Sequence, residues 1–123
     1  MKYLKYFENI KDEPQVYDYA LVNIDVSRSL LANRDKIMEF VNNTVGQISR
    51  IKKFGADKDE IMVVYDTVPT EISSWFIFRG YNGDQDPKYN GMYCRTFDAD
   101  KIVAFDKDKE KLEQLIINKK FNL

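Results

Sequence analysis

Between Val16 and Val26 apolar residues return at every second position, broken only at Asp18. Val16, Ala20, Val22, Ile24 and Val26 fall on one side, and Tyr17, Tyr19 and Leu21 on the other. A period of two in aromatic and β-branched residues is a strand signature. Two largely apolar sides as far as Asn23 place that strand centrally in its sheet. From Leu30 the period changes. Leu30, Ile37, Val41, Val45, Ile48 and Ile51 fall within one arc at about 100° per residue, with Asp35, Glu39, Asn43, Gly46, Arg50 and Lys53 opposite. This predicts one long amphipathic helix ending at Gly55. Ser27 or Ser29 can cap it, and Asn33 is a second cap that would detach the first turn. Lys52, Lys53 and Gly55 suit its C-terminal end.

The rest of the chain is read against that strand and helix. Tyr3, Phe7 and Ile10 have helical spacing, which predicts a short N-terminal helix ending before Pro14. Ile61–Tyr65 is a buried-type strand, Met92–Phe97 and Lys101–Phe105 are two more, and Asp98–Asp100 is a turn. Ile72–Arg79 is ambiguous. Its aromatics and the Gly80 boundary favour a strand, while Thr70 followed by Glu71 can open a helical turn. Residues 80–91 carry two Asn-Gly steps and Pro87 and read as a long loop. From Asp106 the spacing of Leu112, Leu115, Ile116 and Phe121 is helical again, with Asp106 or Asp108 as cap. The order α-β-α-β-β-β-β-α predicts an α+β fold. It would have a mainly antiparallel sheet of about five strands, with the long helix and the C-terminal helix on one face. The variant is a right-handed β-α-β crossover joining the first two strands in parallel.

A chain of 123 residues is expected to form a single domain over residues 1–123, with a core of useful size. The apolar runs are too short to span a membrane. The opening MKYLKYFENIKDE lacks the apolar core and cleavage site of a secretory signal. A single cysteine, Cys94, cannot form an internal disulfide, so the expected compartment is the reducing cytoplasm. The formal net charge of −1 offers no general attraction to phosphate backbones, so double-stranded nucleic acid is not an expected partner, nor is a membrane. The heavy use of Lys, Asn, Ile, Tyr and Phe fits an AT-rich genome, as in many viruses and bacteria.

The composition excludes much chemistry. There is no histidine, which removes Ser-His-Asp and Cys-His arrangements and imidazole metal sites. One cysteine removes Cys-rich zinc sites, and neither GxGxxG nor a phosphate loop occurs. Carboxylates remain. Asp25, Asp66 and Asp106 each follow an apolar run, VNID, VVYD and VAFD. Parallel strands would gather the three at one sheet edge, where they could bind Mg²⁺ for phosphodiester cleavage. The run ALVNIDVSRSLL, residues 20–31, resembles the opening of PIN-like nuclease domains, in which an Asp ends the first strand. The competing reading is that Asp ends strands, opens turns and caps helices, and antiparallel strands would scatter the three. Asp98, Asp100, Asp106, Asp108 and Glu110 lack the glycine and terminal Glu of a calcium loop and read as a solvated turn. Cys94 reads as a small buried hydrophobe.

Trp75–Phe97 carries the most information about binding. Read as strand, loop and strand, one side holds Ile72, Phe76, Phe78, Met92 and Cys94 as core. The other holds Trp75, Ile77, Arg79, Tyr81, Tyr93, Arg95 and Phe97, with Tyr89 in the loop between. Aromatics interleaved with arginine compose interface hot spots and base-stacking platforms alike. The alternative is that a helix covers this face and leaves the arginines at its rim. A symmetric loop would set Arg79 opposite Arg95, where an acid must relieve their repulsion. The expected function is a small non-enzymatic binding or inhibitory protein, in keeping with a virus or mobile element as source. It would bind a protein partner or sequester a small anionic ligand through this face and the 80–91 loop. No catalytic residue, metal site or cofactor is expected, and a homo-oligomer is compatible with the pattern. The alternatives are a Mg²⁺-dependent nuclease using Asp25, Asp66 and Asp106, and an RNA-binding sheet.

Overall fold

The computed structural model of the protein describes residues 13–53, 59–77 and 92–121. Strand β1 (Tyr19–Val22) leads to helix α1 (Arg34–Asn42), then to strands β2 (Gly46–Lys52) and β3 (Glu60–Tyr65). A 3-10 helix (Thr70–Phe76) precedes β4 (Tyr93–Asp98). A 3-10 turn (Ala99–Lys101), β5 (Ile102–Asp106) and α2 (Lys109–Phe121) complete the order. The strands form one five-stranded sheet, β4-β3-β2-β1-β5, antiparallel throughout. The α+β class and the antiparallel sheet are therefore as expected. The parallel β-α-β variant does not form, because β1 and β2 pair antiparallel. The expected N-terminal helix lies outside the described residues.

β4 and β5 stand at opposite ends of the strand order, yet only Ala99, Asp100 and Lys101 separate Asp98 from Ile102. Four residue steps reach about 14 Å at most. Outer strands of a flat five-stranded sheet stand about 19 Å apart, at about 4.8 Å per spacing. The sheet therefore curls until the end of β4 meets the start of β5. The Ala99 N–H donates to the Asp59 carbonyl and the Asn23 N–H to the Lys101 carbonyl, each at 2.9 Å, which fixes the corner. On the inner face residues of all five strands merge into one buried cluster, among them Val22, Ile48, Val63, Phe97 and Ile102. Ile37 and Val41 of α1 and Ile72 and Phe76 of the 3-10 helix close that cluster. Gly46 faces inward opposite Ala20. A Cβ there would collide with the Val63 side chain and stand 2.9 Å from the Val64 carbonyl oxygen, so only glycine fits without a shift.

Four sequence expectations need correction. The long helix is only nine residues, Arg34–Asn42, and begins after Asn33, which holds the second expected cap position in a left-handed conformation but makes no side-chain cap hydrogen bond. It stops because Asn42 and Asn43 use their carboxamides on main chain. Asn42 accepts from the Ile24 N–H at 2.7 Å and donates to the Ile24 carbonyl at 3.0 Å, and Asn43 donates to the Glu39 carbonyl at 2.8 Å. Ile48 and Ile51, which read as helical, belong to β2. A register shift between Ile48 and Arg50 makes Ser49 an extra residue, so Ile48 and Ile51 both point inward. A β-bulge thus reproduces the spacing of a helix turn. Second, residues 70–76 form a 3-10 helix and not a strand. Pro69 pre-sets its start, and the Ile72 N–H donates back to the Pro69 carbonyl at 3.1 Å. Third, the helices do not share one face. Ala20 and Val22 of β1 meet α1, whereas Leu21, between them, packs with Ala104 and Leu112 of α2 on the outer face. β1 is also shorter than Val16–Val26. Tyr17 has a φ of 74° in a turn closed by the Asp18 N–H on the Gln15 carbonyl at 3.0 Å.

Ile48 is fully buried, so Ile48→Ala is expected to lower unfolding free energy by about 2–5 kcal/mol in chemical denaturation. Tyr65 predicts the opposite sign. Its ring packs between Phe40 and Phe76, and its hydroxyl has no hydrogen-bond partner among the described residues. Removing a buried, unbonded hydroxyl recovers its desolvation cost. Tyr65→Phe should therefore raise stability by about 1 kcal/mol.

Candidate binding cleft

The ladder between β3 and β4 sets the geometry of the site. Tyr93, Arg95 and Phe97 lie opposite Tyr65, Val63 and Ile61, on the inner face. The 3-10 helix lies over them, which puts Trp75 against the Arg95 side chain. The guanidinium carbon stands 4.0 Å from the centroid of the indole, and Nη1 donates to the Trp75 carbonyl at 3.0 Å. Stacking on an aromatic face and a charge-assisted bond together hold the group in one orientation. Among the described residues no carboxylate pairs with Arg95. Burial lowers its pKa below the ordinary value, because losing water disfavours the charged form.

Trp75 and Arg95 form one wall of a cleft of about 570 Å³. Leu31 and Ile77 supply apolar surface over the buried Ile37 and Ile72, and Asn33, Glu71 and Thr96 supply polar groups. That size is in the range of small-ligand sites, which combine apolar walls with a few oriented polar groups. Two contacts hold the far wall. The Asn33 carboxamide donates to the Glu71 carbonyl at 3.2 Å, and Lys36 pairs with the Glu71 carboxylate at 3.7 Å. Thr96 enters through its main chain. The Ala99 N–H bond to Asp59 continues the β3–β4 register, so Phe97/Ile61 and Arg95/Val63 are the hydrogen-bonded pairs. The N–H and C=O of Thr96 therefore point away from β3, towards the cleft it lines.

Of the residues expected to bind, Trp75 and Arg95 come together, although across a helix-on-strand contact and not a strand pair. Tyr93 is half-buried and packs against the inner cluster. Phe97 is a core residue at 6% exposure, its ring 6.2 Å from that of Trp75, so it presents no surface to a ligand. Arg79, Tyr81, Tyr89 and the 80–91 loop lie outside the described residues. The alternative weighed for this face, a covering helix with arginine at its rim, describes Arg95. Leu31, Asn33 and Ile37 were not anticipated as part of the site. The one hint of them in the sequence is the Asn33 cap, which separates the turn holding Leu31 from α1.

The three aspartates have separate partners. Asp25 is exposed, and its Oδ1 accepts from the Ser27 hydroxyl at 2.6 Å and the Ser27 N–H at 3.0 Å. Those bonds, the hydroxyl first, hold its pKa below the ordinary carboxylate value. Asp66 is exposed and pairs with Lys109 at 3.6 Å. Asp106 is buried and accepts from the Asp108 N–H at 2.8 Å. Asp108 in turn accepts from the Glu110 N–H at 3.0 Å at the start of α2, so of the two acids expected as cap Asp108 is the one that bonds a helical N–H, and Asp106 holds the turn before it. Among the described residues no three His, Cys, Asp or Glu side chains are placed to hold a metal ion. Cys94 is buried. No helix among the described residues is long and apolar enough to cross a membrane. Comparison with known proteins finds no match to the chain among family models, curated proteins or solved structures.

The Asp25 geometry predicts a titration. Its midpoint, followed by the carboxyl ¹³C shift, should lie below that of an ordinary aspartate. Ser27→Ala removes the hydroxyl donor and keeps the N–H, so the midpoint should rise part of the way back. Fold stability should barely respond, since the group is exposed.

Proposed function

We propose that the protein is a non-enzymatic binding protein whose recognition site is the Trp75–Arg95 cleft, taking either a small anionic ligand or an anionic segment of a protein partner. One observation carries the reading. A half-buried guanidinium stands in the wall of a cleft of mixed polar and apolar lining, fixed by an aromatic ring and a carbonyl and paired with no acid among the described residues. A structural arginine ordinarily finds a carboxylate, because a charge drawn out of water without one is costly. A guanidinium held in place in a cleft is instead pre-organised for an anion that arrives from outside. The chemistry of the chain agrees. Histidine is absent, the one cysteine is buried, and the acids near strand ends serve turns, caps and ion pairs.

A fragment screen followed by amide NMR shifts tests this reading. Fragments should perturb residues 31–33, 71–77 and 94–96 together. Ser74 is exposed at the cleft wall, so Ser74→Phe should fill the space and abolish those shifts while the melting temperature holds. A second cleft of about 450 Å³ lies between Asp66, Lys109, Glu113 and Ile116. Shifts confined to that cleft, or unchanged binding in Ser74→Phe, would overturn the proposal.

A further inference from the structure

Resting on that reading of the cleft, we infer that its ligand is a monoanionic carboxylate on an apolar body, with the carboxylate seated on Arg95. Three features select this class. Among the described residues the cleft holds one guanidinium, whose planar fork of donors matches the two oxygens of a carboxylate. One Arg95 nitrogen already bonds the Trp75 carbonyl, and the stack on Trp75 fixes the plane of the rest. Glu71 lines the same cleft, so a second negative charge, as on a phosphate monoester, would meet a carboxylate. Lys36 pairs with Glu71 and reduces that repulsion for a single charge, and it is not itself among the described residues that line the cleft.

The remaining surface selects the body of the ligand. Leu31, Ile77 and the Trp75 ring are the half-buried hydrocarbon beside Arg95, over the buried Ile37 and Ile72, so an alkyl or aryl group has a surface to lie on next to the seated carboxylate. A free organic acid and a peptide ending in a carboxylate share this chemistry. The peptide would add main-chain bonds to the outward N–H and C=O of Thr96, as in strand addition at a sheet edge.

Trp75 is the only tryptophan, so its emission reports the cleft directly. The probes are octanoate, hydrocinnamate, their primary amides, phenethyl phosphate, and a short peptide ending in leucine as free acid and as amide. The free acids should shift Trp75 emission at millimolar concentration, and each amide should bind at least about ten-fold more weakly. Phenethyl phosphate should bind more weakly than hydrocinnamate, and added salt should weaken the acids. Arg95→Lys keeps the charge and loses the fork, so it should weaken the acids about ten-fold towards the level of the amides. The matched acid and amide pairs use the wild-type protein, so the outcome does not depend on a variant folding. Binding by the peptide acid alone, or by the small acids alone, would each support the inference and name the source of the carboxylate. Amides that bind as well as acids, a preference for the phosphate, or no response to any free acid would each overturn it. The binding proposal stands or falls separately, on whether fragments of other chemistry gather in the cleft.

Discussion

Three residues, Ala99 to Lys101, must join the two outer strands of a five-stranded sheet, and the rest of the architecture follows from that short reach. A sheet with free outer edges would leave its apolar inner face half open. Here the corner draws the two ends together, so Phe97 of β4 and Ile102 of β5 join the same cluster. The remaining opening is small enough for a nine-residue helix and one short 3-10 helix to cover. Gly46 and the extra residue at Ser49 belong to the same solution. One lets strands and side chains approach closely, and the other increases local twist, as a curled sheet needs.

This constraint also explains what was legible in the sequence. Strands β3, β4 and β5 are readable to within about a residue or two of their ends, because each is a short apolar or aromatic-rich run bounded by turn residues. β2 is not, because the bulge at Ser49 puts Ile48 and Ile51 at the spacing of a helix turn. Once Ile48 is assigned to a helix, the apolar arc beginning at Ile37 has no visible end. The stop signal is Asn42-Asn43, whose carboxamides work only against Ile24 and Glu39. Half of that signal is a contact between residues far apart in sequence, which no local window contains. The strand order was hidden for a similar reason. A turn at Asp98–Asp100 looks like a simple hairpin until β3 and β1 claim β4 and β5 as neighbours.

The site was partly legible in the same sense. Aromatics beside arginines marked the right stretch, and Trp75 and Arg95 do meet. Treating residues 72–79 as a strand turned a helix-over-sheet contact into a hairpin face, and so promoted Phe97, which is buried, to a binding residue. Ile72 and Phe76 sit four residues apart and Trp75 sits between them, a spacing that serves a helical turn and an alternating strand equally well. Pro69, whose carbonyl accepts from the Ile72 N–H, opens the helical turn instead.

The Arg95 contact joins the fold to its proposed role. The same guanidinium that lines the cleft ties β4 to the 3-10 helix through the carbonyl of Trp75. An anion arriving at Arg95 would therefore meet a group already immobilised, and little side-chain freedom would be lost on binding. It would also relieve the cost of a partly buried charge that no carboxylate among the described residues neutralises. Because only the folded chain brings Trp75 over Arg95, such an occupant binds the native state selectively and stabilises it in proportion to its occupancy. The covering of the inner face and the holding of an anion would then be two consequences of one stacked, hydrogen-bonded arginine.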